Sequence, residues 1–393
     1  MKKSILALSF IFAVLFSCKK PDATPTVPAS SVTTQDVVNQ YTEVAYQQHN
    51  NALTQAYAME AAIEYFTIYP TEANFDQAKE AWKTARRAYS LLEGYRFYGG
   101  PIDNSATDFE AKLNAWPMDE SGVDYVDGNA NTGIINNLAA FPTITSAIIT
   151  ENDGKDGETN VTTGFHVIEF LLWGQDLSSA SAGQRPYTDY VPSTVSGAGK
   201  NADRRSQYLH IAAELILDHL LAVTNQWKVE DNENYRAQFT KAANVDASMA
   251  KILKGIGTFS KAEFGGERLT TAYETKDEED EHDCFSDFTT AEIPIWQQSI
   301  TNIYYGKYKK MDGTLVDGAG IDDLIKVKDA ALATATDKLI TDSYTASLAV
   351  PDPFDNAIAA GDTKIKTVID AVQDQGDRFV EIATKLGYNI VLE

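Results

Sequence analysis

Residues 35–66 read QDVVNQYTEVAYQQHNNALTQAYAMEAAIEYF, and neither glycine nor proline interrupts them. Val37, Tyr41 and Val44, then Leu53, Tyr57, Ala61 and Ile63, recur at helical spacing, which predicts one long helix. Pro70 closes it. After Thr71 a second stripe begins, Phe75, Ala78, Trp82, Ala85, Tyr89 and Leu92, with Asp76, Lys79, Lys83 and Arg87 elsewhere on the surface. Gly94, Gly99, Gly100 and Pro101 mark its end.

The same periodicity continues toward the C-terminus. Residues 102–133 are loop-rich, a helix is expected over 134–150 despite Pro142, and a short, almost wholly apolar helix over 164–173. A polar loop over 174–201 is long enough to suggest function or mobility. Further helices are expected over 208–227, 235–264, 267–273, 290–305, 324–341 and 354–386. No stretch alternates with period two, and the turn pairs Asp312-Gly313 and Asp317-Gly318 lack good flanking strands. The expected fold is all-α, with two helical bundles over 35–230 and 231–393.

The N-terminus has a different logic. Lys2 and Lys3 precede an apolar run from Ile5 to Phe16, too short for a permanent span of about 20 residues, and the run ends in Leu15-Phe16-Ser17-Cys18. This reads as a lipoprotein signal peptide over 1–17 with Cys18 as the lipidated residue. Residues 18–34, broken by Pro21, Pro25 and Pro28, read as a flexible tether. The expected location is the cell envelope, lipid-anchored, at the outer membrane of a Gram-negative-type bacterium. With Cys18 acylated, Cys284 is the only remaining thiol, so an intrachain disulfide is excluded.

A formal net charge of −23 argues against nucleic acid and against anionic membrane faces, leaving the lipid anchor as the expected membrane contact. Cations are its natural partners, although solubility alone accounts for an acidic surface.

Three constellations could carry chemistry. His166 and Glu169, three apart on a helix that is apolar on every side, must either satisfy each other or hold a metal ion, because an unpaired buried charge costs several kcal/mol. Residues 277–284, DEEDEHDC, hold six carboxylates in seven positions before Cys284, with Asp287 beyond. Most of that run reads as a solvated loop, with His282, Asp283 and Cys284 set apart beside Phe285. Trp82, Arg86 and Glu93 share a helix with large aromatics, so core packing with charges paired across the bundle competes with a pocket lining. Asp176, Asp280, Cys284 and Asp287 are further pocket candidates. A zinc-peptidase His-Glu-x-x-His, a nucleophile elbow, a P-loop and a dinucleotide fingerprint are all absent from the sequence.

The Gly-x-His-x-x-Glu signature of Gly164, His166 and Glu169, continued through Phe170-Leu171-Leu172-Trp173-Gly174-Gln175-Asp176 and Arg185-Pro186-Tyr187, resembles that of the imelysin-like family of bacterial envelope proteins. So do Ala81-Trp82-Lys83-x-Ala85-Arg86 through Glu93-x-x-Arg96-Phe97, and Gly266-Glu267-Arg268-Leu269 leading into the 279–287 segment. The resemblance implies two helical bundles with the histidine motif near their interface and a metal-binding role linked to iron. It makes His166 and Glu169 the leading ligands, with Glu267, His282 and Asp283 as candidates facing them. The chain departs from the family wording at Asp283 and at Phe288-Thr289-Thr290, where serine and a further histidine are expected. The expected activity is binding of a divalent metal ion, iron first and zinc as the alternative, in iron acquisition with envelope uptake partners. A zinc-dependent envelope peptidase, and a binding module for a haem, siderophore or protein ligand, are the competing readings.

Overall fold

The computed structural model describes residues 32–178, 181–192 and 200–392. The leader, Cys18 and nearly all of the tether lie outside that range. Helix α1 (Thr34–Ile68) opens on a capping box: Thr33 Oγ1 accepts from Asp36 N at 3.3 Å, and Asp36 Oδ2 accepts from Thr33 N at 2.9 Å. Its buried face runs from Val37 through Tyr41, Ala45, Ala52, Met59 and Ile63 to Phe66. Helix α2 (Glu72–Ser90), capped by Thr71, returns along it and buries Phe75, Ala78, Trp82, Ala85, Arg86 and Tyr89. Short helices α3 (Phe109–Asn114), α4 (Gly133–Asn136) and α5 (Ser146–Asn152) lead to α6 (Phe165–Trp173), whose nine residues are all buried. Helix α7 (Ala202–Asn225) packs on α1 and α6.

The C-terminal half begins with α8 (Tyr235–Phe239) and α9 (Val245–Thr258). From α9 the chain continues without a break through a π-helical stretch, Phe259–Thr270, into α10 (Thr271–Thr275). Helix α11 (Thr289–Tyr304) packs against α2, joining the halves. Beyond a hairpin of β1 (Lys307–Lys309) and β2 (Leu315–Asp317) come α12 (Ile321–Lys328), α13 (Ala330–Ser347), α14 (Phe354–Ala360) and α15 (Thr363–Leu386). Helix α15 lies along α9, the π-helical stretch and α13. The fold is all-α, as the periodicity predicts. Among the described residues no helix is long and apolar enough to cross a membrane.

The departures from expectation have local causes. The helix expected over 134–150 is broken into α4 and α5, with Pro142, which lacks an amide proton, in the gap. The one expected over 324–341 breaks at Asp329, whose side chain turns back to accept from Leu332 N at 3.0 Å and caps α13. The one over 354–386 breaks at Gly361, with φ 65°, and the one over 235–264 breaks between α8 and α9. The β1–β2 hairpin was not expected, because three-residue strands are too short to show alternation; Tyr308 opposite Val316 is its buried position.

His49 on α1 shows what burial without a charged partner does. Its Nδ1 donates to Ala45 O at 2.7 Å, while Tyr95 and Trp227 flank the ring with centroids at 5.3 and 5.8 Å. Desolvation pushes its pKa down to about 4. The folded state therefore refuses a proton that the unfolded chain accepts near pH 6.5, so stability present at neutral pH is lost as pH falls from about 6.5 toward 4. Replacement His49→Leu should lose less stability than wild type over that interval, by roughly 3 kcal/mol at 1.36 kcal/mol per pH unit. Urea unfolding at the two ends of the interval measures it, and equal losses in both proteins would refute the assignment.

Candidate metal centre

Helix α6 carries the signature into the interior. Gly164 stands just before it with φ 98° and ψ −177°, a conformation close to glycine-only. A Cβ there would lie 2.8 Å from Leu113 O and 2.9 Å from Leu113 C, so the glycine lets the end of α3 press against the start of α6. Trp82 Nε1 donates to Phe165 O at 3.0 Å and fixes the same helix to α2. One turn on, His166 and Glu169 face one point, with Nδ1 and Oε2 3.1 Å apart.

The other Glu169 oxygen is occupied as well. Ser286 N donates to Glu169 Oε1 at 3.0 Å and Ser286 Oγ at 2.6 Å, which pins the segment after Cys284 onto α6. That segment delivers His282 and Asp283. The rings of His166 and His282 are 4.8 Å apart at 84°, and Asp283 Oδ1 is 3.5 Å from His166 Nδ1 and 3.9 Å from His282 Nδ1. One donor atom each from His166, His282 and Asp283 falls within 4.8 Å of the other two.

Arg86, 1% exposed, reaches the same point from α2. Its Nη2 lies 3.3 Å from His166 Nε2, 3.0 Å from His282 Nδ1 and 3.0 Å from Asp283 Oδ1. Its Nε is 3.0 Å from Glu292 Oε1 on α11, and Nη1 donates to Asn114 Oδ1. Glu292 Oε2 is 3.1 Å from His282 Nδ1, and the Ser90 hydroxyl donates to Glu292 Oε1. Burial, with Arg86 adding to it, holds His166 neutral; burial, with Arg268 and Arg86, does the same for His282. Burial first, then the neighbouring Asp283, raises Glu169, while Asp283 is raised by burial, and by Glu292, against the opposing pull of Arg86.

A second layer surrounds this one. Glu93 accepts from Arg96 at 2.7 Å, Arg268 at 2.9 Å and Asn114 at 3.1 Å; burial would raise its carboxyl, but Arg268 and Arg96 outweigh that and lower it. Arg268 Nε donates to Glu263 Oε1 at 3.0 Å. Residues five apart share a face on a π-helix, whereas on an α-helix they would diverge. That winding leaves Glu267 exposed, lining the mouth of a cavity of about 680 Å³ that also meets Arg96, Glu110, Arg268, Asp280 and His282.

Of the residues singled out from the sequence, His166, Glu169, His282, Asp283 and Arg86 come together at one point. Trp82 is core, Glu93 is in the second layer, and Asp280 lines the cavity. Glu267 lines that cavity too but does not reach the cluster. Cys284 is buried, with its thiol pushed up by desolvation. Asp176 and Asp287 lie beside each other on the far side of the acidic segment, where burial first and then Asp176 push the Asp287 carboxyl up. Glu281 corrects the picture of a solvated run, for it is 0% exposed. The loop over 174–201 is anchored where it is described: Gly183 N donates to Phe285 O at 2.9 Å, and buried Arg185 pairs with Asp124 at 2.7 Å. Sequence reading missed Glu292, Asn114 and Ser90. Glu292 alone left a signal, since it falls on the buried side of its helix with Ile293, Trp296 and Ile300.

The family profile described as Imelysin matches residues 45–379. Iron-regulated protein A of Synechococcus elongatus is 23% identical over 362 residues, which cover 89% of this chain and 86% of that protein. A crystal structure of a candidate iron-regulated protein A precursor from Parabacteroides distasonis superposes with a TM-score of 0.70 at 18% identity, covering 93% of this chain and 96% of the other. That likeness shows the fold.

Replacing Gly164 by alanine should drive the start of α6 away from Leu113 and lower stability by about 2 kcal/mol, within the range for a non-glycine residue forced into such a conformation. Thermal unfolding of Gly164→Ala measures it, and a melting temperature equal to wild type would show that the contact yields freely.

Proposed function

The chain belongs to the imelysin family, and from that premise we propose that it binds a divalent metal ion, iron first, at the point where His166, His282 and Asp283 converge, as part of iron handling at the cell envelope. The observation that carries this reading is the meeting of two neutral imidazoles and a carboxylate on one buried point. Metal ligation needs the lone pair of a neutral imidazole, and burial keeps both rings in that state. Nitrogen and carboxylate donors of this mix suit Fe(II), Zn(II) and Mn(II).

The donor distances test the fit. Two ligand atoms on an ion with bonds of about 2.1 Å stand at most about 4.2 Å apart, so donors no more than 4.8 Å apart close on it with a shift of at most roughly half an ångström. Glu169, whose oxygens are taken by His166 Nδ1 and by Ser286, acts as the positioning carboxylate that turns His166 Nε2 toward the ion. Arg86 stands on the same donors and competes with the cation. The cavity beside His282 gives an ion its route from solvent. Delivery to the envelope would rest on the leader and on lipidation of Cys18, supported by the basic pair and apolar run before it.

Calorimetric titration of Fe(II), Zn(II) and Mn(II) should give one site per chain. Affinity should fall by about 100-fold in His166→Ala and in Asp283→Asn with helicity retained, a loss of order 2.7 kcal/mol. Unchanged affinity in both variants would sink the metal assignment and leave the cluster as a structural ion-pair network. Arg86→Gln, which removes the competing charge, should bind the ion at least about tenfold more tightly while unfolding at a lower temperature without it. Weaker binding in that variant would mean that Arg86 organises the donors rather than competing for them.

A further inference from the structure

The acidic segment faces two ways, and its other side gathers a second cluster. One oxygen each of Glu281, Asp287 and Asp355 lies within 4.8 Å of the other two, drawn from the segment itself, the turn before α11, and α14. No nitrogen or sulfur donor is among them. Glu281 is 0% exposed and neither of its carboxylate oxygens has a hydrogen-bond partner. The Thr289 hydroxyl, near enough to act as a weak donor but outside ordinary hydrogen-bond geometry, only partly offsets burial, which pushes the Glu281 carboxyl well up. Asp287 Oδ1 and Asp355 Oδ1 are likewise without partners, as is Asp176 Oδ2 at the rim.

Charge gives no relief from the protein itself. The charged groups facing Glu281 are Asp287, Asp355 and Asp283, and those facing Asp287 are Asp176, Asp355 and Asp352. Among the described residues no lysine or arginine forms an ion pair with Glu281, Asp287 or Asp355. A buried carboxylate with neither hydrogen bond nor counter-charge costs several kcal/mol, and three converging on one point add mutual repulsion. Burial and the neighbouring acids accordingly push Asp287 up to about 7 and Asp176 up to about 6.

We propose that Glu281, Asp287 and Asp355 form an oxygen-only site for a hard divalent cation, Ca²⁺, which ties α14 to the segment carrying His282 and Asp283. The donor set selects the ion: a cage of protein carboxylates suits Ca²⁺, which takes about six to eight oxygens in flexible geometry, whereas Mg²⁺ demands a near-ideal octahedron and keeps several waters. This site is separate from the histidine centre, shares no donor with it, and stands or falls independently.

Calorimetry and thermal unfolding of the purified protein with millimolar CaCl₂, with MgCl₂ at equal ionic strength as the control for screening, test the proposal. Ca²⁺ should bind one per chain and raise the melting temperature by roughly 5 °C at saturation, and Mg²⁺ should not. The response should vanish in Asp355→Asn and persist in His166→Ala. Glu281→Gln, which keeps the side chain's shape but removes one ligand oxygen's charge from the bound state, should fold as wild type does without Ca²⁺ and gain nothing when it is added, and this variant decides the matter if Asp355→Asn does not fold. The proposal is overturned by no Ca²⁺ response in wild type, by an equal response to Mg²⁺, by a response that survives in Glu281→Gln, or by its loss in His166→Ala.

Discussion

A guanidinium cannot lose its protons inside a protein, so it must be matched there by acceptors on every side. Arg86 is such a group, and its partners come from four places in the chain: Asn114 at the end of α3, His166 on α6, His282 and Asp283 on the acidic segment, and Glu292 on α11. None of these elements can move without leaving a buried charge unpaired. The packing of α2, α3, α6 and α11 on the acidic segment is built around this requirement, and the candidate metal centre is the same set of atoms seen from the side of the imidazoles.

The surrounding charges follow from it. An acidic chain has few cations to spare, yet Arg86, Arg96 and Arg268 are all buried around Glu93, Glu110, Glu263 and Glu292, and Arg185 and Arg205 close on Asp124. Burial would raise the Asp124 carboxyl, but the two arginines outweigh it and hold it at about 2. The arginines thus neutralise interior carboxylates and leave net negative charge to the surface. Where they stop, Glu281 and Asp355 are buried and Asp287 half-buried, and none of the three has a basic partner among the described residues.

Local winding decides which side chains take part. On the π-helical stretch, Glu263 and Arg268 share a face and Glu267 points outward, so the glutamate beside the glycine pair is at the cavity mouth and the one four residues earlier is in the second layer. Gly164 has the converse role: its positive φ and missing Cβ admit the backbone of Leu113, which brings Asn114 to Arg86.

The sequence by itself determined the helical fold, the two opening helices, the buried stripe of the second, and the burial of His166 and Glu169, because apolar periodicity and an all-apolar flank are local properties of the chain; on α1 it misplaced Tyr57 and Ala61, which are exposed. It also marked His282 and Asp283 as unlike their acidic neighbours. Only the tertiary structure decided that these residues meet, that Arg86 stands between them, that Glu292 and Asn114 complete the set, and that Glu281 is buried. Helix breaks at Asp329 and Gly361 and the three-residue hairpin were equally illegible, since a single cap or turn leaves almost no periodic trace. Pairing of buried charges is a relation between residues up to 206 positions apart, as for Arg86 and Glu292, and no spacing rule within one helix or loop encodes a contact made by packing two helices together.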